Sequence, residues 1–343
     1  MPRSDWRASL WSFGKRHRKR VGKMFKLWPN SLQDEVLEGY EPHEPELDPP
    51  FEVVEPARLA SPLVFSSPHS GNIYPRRFLE AARLEQAVLR RSEDTFVDLL
   101  FAGAAALGAP LIKARFPRAY LDLNREPYEL DPSMFDGTLP PYANTRSLRV
   151  AGGLGTIARV ATQAQEIYAR RLPVEEALER IEKLYKPYHA CLAKLIERAR
   201  RVFGIAVVVD CHSMPSNIRR EGHTPLFGEL NPPGKPDIVV GDRFGTSCSA
   251  NFVDGVEEEL RRRGYVVQRN RPYAGGFITE HYGNPANDCH AVQIEVSRAL
   301  YMDERGLCKG EKFDTVANDL AKAASELAQA VAERNDRHRA AAE

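Results

Sequence analysis

Two histidines and a glutamate sit in this sequence where ordinary packing offers little reason for them. His69 closes the run SPLVFSSPH, His212 closes GIAVVVDCHS, and Glu295 lies between Ile294 and Val296 in AVQIEVSR. Each run is apolar enough for a buried strand, and the polar residue falls at or near its end. One histidine after a strand is more often a hydrogen-bonded structural residue than a ligand, and a buried glutamate can pair with an arginine such as Arg298. Three such residues together point to metal chemistry, because carboxylates are seldom buried unless paired or metal-bound. Two imidazoles and one carboxylate form the common open zinc set, with a fourth position left for water. Iron, manganese and cobalt suit the same donors. With Glu295 kept apart from the metal, SEDT offers Glu93 or Asp94 as the third ligand at a helix start. Asp94 is the choice, although a capping or surface carboxylate would read the same way. Helical spacing puts Asp98 on the face of Asp94, either behind the site or in solvent.

Groups suited to hold a substrate cluster in FPRAYLDLNREPYELDP, where Arg118, Asn124 and Arg125 accompany Tyr120 and Tyr128. A guanidinium grips a carboxylate through two parallel hydrogen bonds, so the segment reads as an anchor for an anionic substrate, against surface salt bridging as the plain alternative. A second loop, NRPYAGGFITEHYGNP, combines Arg271, Tyr273 and the adjacent Gly275 and Gly276. Paired glycines allow close backbone approach to a ligand, or a moving lid, though a surface turn also explains them. Cys211 and Ser213 flank His212, but neighbours on an extended chain face opposite ways and no GxSxG elbow is present. A serine or cysteine hydrolase is therefore disfavoured, and Cys211 reads as a small core residue.

Positioning these groups requires strands that end on one edge. Leucine- and valine-rich runs at Ser61–His69, Ala109–Phe116 and Gly204–Ser213, with DIVVGD, YVVQRN and AVQIEVSR, read as strands. Helical spacing appears over Leu84–Leu107, over Val174–Phe203 with a kink or break at Pro187, and over Asp314–Arg334. Strands alternating with helices predict an α/β fold, a three-layer sandwich with a mostly parallel sheet covered on both faces, whose ligands sit beyond the carboxyl ends of the strands. A single domain is expected over 51–335, followed by a short tail over 336–343. Residues 1–50 read as an extension, basic over Gly14–Lys26 and then acidic and proline-rich. The net charge of +1 over 343 residues gives no field for nucleic acid. Five cysteines without a CxxC pair argue against a disulfide framework, and no run approaches the roughly 18 apolar residues of a membrane span. A cytoplasmic protein is expected, with its oligomeric state open.

The order SSPHSG, SEDTFVDLLF, DLNRE, VVDCHSM, NRPYAGGFITEHYG and QIEVSRALYM, over about Val54 to Met302, resembles the N-formylglutamate amidohydrolases. The resemblance implies a fold related to the zinc carboxypeptidases and aspartoacylase-like deacylases, with zinc held by two histidines and one acid and a glutamate, here Glu295, as base. Those relatives commonly place a glutamate three residues after the first histidine. Here Asn72 stands there, which moves the third ligand to Asp94. Asn124 and Arg125 resemble the pair that holds the substrate carboxylate, and Arg118 the arginine that polarises the scissile carbonyl. The implied reaction splits N-formyl-L-glutamate, a small-molecule substrate, into formate and glutamate, as in histidine degradation. Another zinc deacylase or carboxypeptidase, and a non-catalytic metal-binding protein, are the competing readings.

Overall fold

The computed structural model describes residues 32–161, 164–216 and 235–342, with side chains up to Arg334. The basic cluster Gly14–Lys26 lies outside the described residues. Seven strands form the main sheet: β1 (Phe51–Val54), β2 (Leu63–Ser67), β3 (Leu111–Ala114), β4 (Ala206–Met214), β5 (Ile238–Gly241), β6 (Val267–Arg269) and β7 (Cys289–Ser297). Their spatial order is β1-β3-β2-β4-β7-β5-β6. The central strands β3, β2, β4 and β7 run parallel, β1 is antiparallel to β3, and β5 is antiparallel to β7. The sheet is thus mixed and mostly parallel, as its apolar runs lead one to expect. The edge strand β1, a short FEVV segment, has no alternation strong enough to be read beforehand.

Both faces are covered. Ala206, Val208 and Ala291 face a core built with α2 (Val174–Arg180), α3 (Lys186–Phe203) and α5 (Phe277–Tyr282). Val207, Val209, Cys211, Val292, Ile294 and Val296 face a second core built with α4 (Ala250–Arg262) and α6 (Phe313–Ala342). The alternation is the period of two expected of a strand, so residues of β4 and β7 two apart share a face.

The expected break near Pro187 is present in a specific form. α2 passes into a wide turn over Ile181–Tyr185 before α3 resumes, which lets the chain run on although Pro187 has no N–H to donate. The expected long helix over Leu84–Leu107 does not form. Only Gln86–Leu89 and α1 (Val97–Leu100) are α-helical, with 3₁₀ turns at Arg90–Ser92 and Ala102–Leu107. Between them Glu93 is extended and Phe96 takes a left-handed φ of 66°. Asp94 therefore lies on an irregular segment before a helix, and its neighbours are fixed by long-range hydrogen bonds that outweigh local helical preference.

The packed body also begins before residue 51. Leu32–Val36 is a helix packed against α3, and Leu47 is fully buried in the first core.

Candidate metal centre

The carboxyl ends of β2, β4 and β7 meet at one cluster. His69 lies two residues beyond β2, His212 is in the last turn of the pleat of β4, and Glu295 is its register partner on β7. Cα partners on parallel neighbours point to the same side, so Glu295 and His212 lie side by side. Asp94 reaches them from the irregular segment, anchored by its own N–H donating to the carbonyl of His69 at 3.0 Å. His69 and Asp94 are each 1% exposed, and His212 is 3% exposed.

Asp94 Oδ2 stands 3.4 Å from His69 Nδ1 and 3.0 Å from His212 Nδ1. The opposite ring nitrogens are tied to other carboxylates: His69 Nε2 lies 2.7 Å from Asp122 Oδ1, and His212 Nε2 lies 3.0 Å from Asp210 Oδ2. A carboxylate at Nε2 orients each ring and leaves Nδ1 facing inward, where it can ligate a cation. His69 Nδ1 is buried and makes no hydrogen bond. Two inward Nδ1 atoms and a carboxylate oxygen, mutually within 4.8 Å and buried, are the donor set a divalent cation would complete. The residues present therefore fit the expected metal. Glu93, the alternative ligand, is buried but turned away, accepting from Tyr74 Oη at 2.8 Å, Arg90 Nε at 3.1 Å and Thr95 Oγ1 at 3.1 Å. Asp98 lies with Lys113, whose Nζ donates to its Oδ2 at 3.2 Å, so it neither backs the site nor stands alone in solvent.

Electrostatics separates the carboxylates. Burial alone would raise the Asp94 carboxyl, but the imidazoles of His212 and His69 beside it outweigh burial and hold the group well below the usual range. Burial acts against Asp122 too, and Arg118, Arg125 and His69 overcome it. At Glu295 burial prevails. Asp94 and Asp210 add to it, His212 and Arg118 oppose it, and the carboxyl is pushed up to about 7. Glu295 Oε1 accepts from Gln293 Nε2 at 2.9 Å, its one direct hydrogen bond among the described residues.

The remaining expected residues divide. Arg118 reaches the cluster through Asp122, donating from Nη2 to Oδ2 at 2.7 Å, and feels Asp94 and Glu295 as further negative charges. Tyr273 is partly exposed at the rim, and its phenol, pushed up to about 12 by burial, lies in the field of Glu295 and Arg118. Arg125 donates to the carbonyls of Leu154 and Asn124, and its Nη2 is 3.8 Å from Asp122 Oδ2. Asn124 is committed at both ends of its amide: Nδ2 donates to Asp210 Oδ2 at 2.9 Å, and Oδ1 accepts from the Ile278 N–H at 2.7 Å. Gly276 lies so close to it that a Cβ there would be 2.4 Å from Asn124 Oδ1, while Gly275, at φ 125°, packs on Thr279. The close approach that the paired glycines permit is thus to the protein's own side chains. Arg271 is exposed, and no contact ties it to the cluster among the described residues.

Four residues complete the site that the sequence reading passed over in role: Asp122, Asp210, Gln293 and Arg298. The signal for Asp210 and Gln293 was alternation. Asp210 with His212 and Gln293 with Glu295 are each two apart on a strand and share a face, while Asp122 stands two before Asn124 in a turn and accepts its N–H at 2.9 Å. Arg298 had been weighed as a partner for Glu295, but its guanidinium goes to Asp94 at 3.3 Å.

Residues 61–302 match the family model described as N-formylglutamate amidohydrolase. N-formylglutamate deformylase of Pseudomonas putida is 32% identical over 252 residues, covering 71% of this chain and 82% of that protein. The deformylase of Pseudomonas aeruginosa is 29% identical over 259 residues, covering 74% and 87%. The crystal structure of N-formylglutamate amidohydrolase from Ralstonia eutropha superposes with a TM-score of 0.75 at 38% identity, over 82% of this chain and 98% of that one.

Proposed function

This chain belongs to the N-formylglutamate amidohydrolase family, and from that premise we propose that it hydrolyses N-formyl-L-glutamate to formate and L-glutamate with a divalent metal ion held by His69, Asp94 and His212. The observation that carries the metal part is the inward pair of Nδ1 atoms facing Asp94 Oδ2, one of them buried without a hydrogen bond. A divalent ion such as zinc held there would supply Lewis acidity, which lowers the pKa of a water to about 7 and polarises a carbonyl. Glu295 takes a proton from that water and returns it to the leaving nitrogen, so one water is consumed per amide bond broken. In the metal-free cluster burial raises its carboxyl to about 7, so it holds a proton more readily than an ordinary carboxylate. Arg118 holds its guanidinium beside the cluster through Asp122 and stabilises charge growing on the acyl oxygen. Tyr273, Arg125 and Arg271 are assigned to the substrate's carboxylates, with Gly275 and Gly276 shaping the loop. We assign Asn124 to brace Asp210, His212 and the loop at Ile278, since both ends of its amide are taken.

The test is glutamate release from N-formyl-L-glutamate by the purified protein, with chelator and with zinc restored. Activity lost with chelator and regained with zinc supports the reading. One tightly bound ion without turnover of N-formyl-L-glutamate overturns the substrate and sends the search to other N-acyl amino acids. Undiminished turnover by demonstrably metal-free protein overturns the metal.

A further inference from the structure

We infer that Arg298 is the positioning residue for the Asp94 ligand: it shapes the segment that carries Asp94 and forces that carboxylate to offer the metal one oxygen only. The inference deepens the metal-site reading above and rests on it. Arg298 follows β7 directly and is 7% exposed. Its Nε donates to Ser213 Oγ at 3.2 Å, Nη1 to the Arg91 carbonyl at 3.0 Å, and Nη2 to the Glu93 carbonyl at 2.6 Å and to Asp94 Oδ1 at 3.3 Å. Ser213 Oγ lies 3.3 Å from the same Asp94 Oδ1.

Three consequences follow from these contacts. First, the carbonyls of Arg91 and Glu93 would point along a helix axis toward later N–H groups if the Leu84–Leu107 segment were helical. Here the guanidinium collects them, and the segment leaves helical geometry at Glu93. Second, Asp94 Oδ1 is taken by Arg298 and Ser213, so only Oδ2 faces the two Nδ1 atoms. Third, the end of β4, which carries Ser213 beside the ligand His212, is locked to the segment carrying the ligand Asp94 by one side chain. A planar fork spans these acceptors, whereas a lysine ammonium has too few donors at too few angles to hold them all. Groups that orient a metal ligand from behind are commonly worth about 10- to 100-fold in metal affinity.

The measurement is the zinc dissociation constant of full-length wild type, Arg298→Met, Arg298→Lys and Ser213→Ala, by competition with a chromogenic chelator, with thermal melts of each metal-free protein alongside. The expected result is about 10- to 100-fold weaker zinc in Arg298→Met, an intermediate loss in Arg298→Lys, and a few-fold loss in Ser213→Ala, which keeps the carbonyls of Arg91 and Glu93 held. The cobalt-substituted variants are expected to show a shifted visible absorption band, because Asp94 is freed to bind through both oxygens. Wild-type zinc affinity in folded Arg298→Met, whatever its melting temperature, overturns the inference. Should that variant not fold, wild-type affinity and an unshifted cobalt band in both Arg298→Lys and Ser213→Ala overturn it. Tight zinc binding by wild type that weakens in the variants, without turnover of N-formyl-L-glutamate, leaves this inference standing and sinks only the proposed substrate.

Discussion

Glu295 is the residue whose surroundings set it apart from every other carboxylate of the cluster. Asp94, Asp122 and Asp210 each face an imidazole, and Asp122 faces Arg118 as well. Glu295 has only the neutral amide of Gln293 as a direct partner among the described residues, and burial lifts its carboxyl to about 7. Such a group moves between charged and neutral at little cost, which is the property a proton carrier needs. Glu295→Gln preserves shape and can still meet Gln293, but it cannot take a proton. We expect kcat to fall about 100- to 10,000-fold with zinc content unchanged, read by glutamate release and metal analysis of the same preparation. A variant that retains most of its activity would place the base elsewhere. The identity of Glu295 was legible because a glutamate between isoleucine and valine needs a reason. Its pKa was not, because that depends on Asp94 and Asp210, which the fold brings from 201 and 85 residues away in sequence.

At the scale of elements, the loop before α5 and the strands behind it act as one unit. The Gly276 N–H donates to Gln293 Oε1 at 3.0 Å, the Ile278 N–H donates to Asn124 Oδ1 at 2.7 Å, and Asn124 Nδ2 touches both Asp210 and His212. A Cβ on Gly276 would fall 2.4 Å from Asn124 Oδ1, and that amide has no free direction in which to retreat. Gly276→Ala should therefore cost about 1–3 kcal/mol of stability and, by shifting His212, lower kcat/KM by about 10-fold or more. Gly255 in α4 is the control, since nothing lies within 4 Å of a Cβ there, and Gly255→Ala should stabilise by about 0.5–1 kcal/mol with activity unchanged. Urea melts and initial rates on both variants check the pair; equal behaviour would mean that the crowding at Gly276 is relieved without moving Asn124. The same loop shows where sequence reading stops. Paired glycines announced a close approach, but not to what. The strands β2 to β7 were legible from apolar runs, and α3 from its spacing around Pro187. The segment Leu84–Leu107 was misread because its shape is dictated by Arg298 and His69, which no local window contains.

For the whole molecule, protons taken up on unfolding decide how it responds to acid. His189, fully buried on α3 against the loop at Leu123 and the end of α5, has Nε2 2.9 Å from the Leu123 carbonyl and Nδ1 3.0 Å from Tyr282 Oη. Burial, with the charge of His281 adding to it, drives its pKa down to about 3, against about 6.5 in an unfolded chain. The folded state thus keeps His189 neutral over a window where the unfolded state protonates it. The stability it allows is complete above about pH 6.5 and falls toward pH 3 by about 1.4 kcal/mol per pH unit. His290, lowered to about 4 by burial and Arg334, acts in the same direction over a narrower window. Glu295 in the metal-free protein acts oppositely: its raised pKa makes the folded state hold an extra proton between about 4.5 and 7, so stability there is lost as pH rises. His43, lowered by burial, joins the two histidines, and Glu44, raised by burial, joins Glu295; the histidines outnumber the carboxyls, and stability should drop with acid between about pH 4.5 and 6.5. His189→Gln retains an N–H for the Leu123 carbonyl but cannot be protonated. Its stability, from urea melts of the metal-free protein at pH 6.5 and 4.5, should change less steeply than that of wild type by the weight of one proton. Equal slopes in the two proteins would show that His189 is not held neutral in the folded state, and that the packing around it opens before the rest of the molecule does.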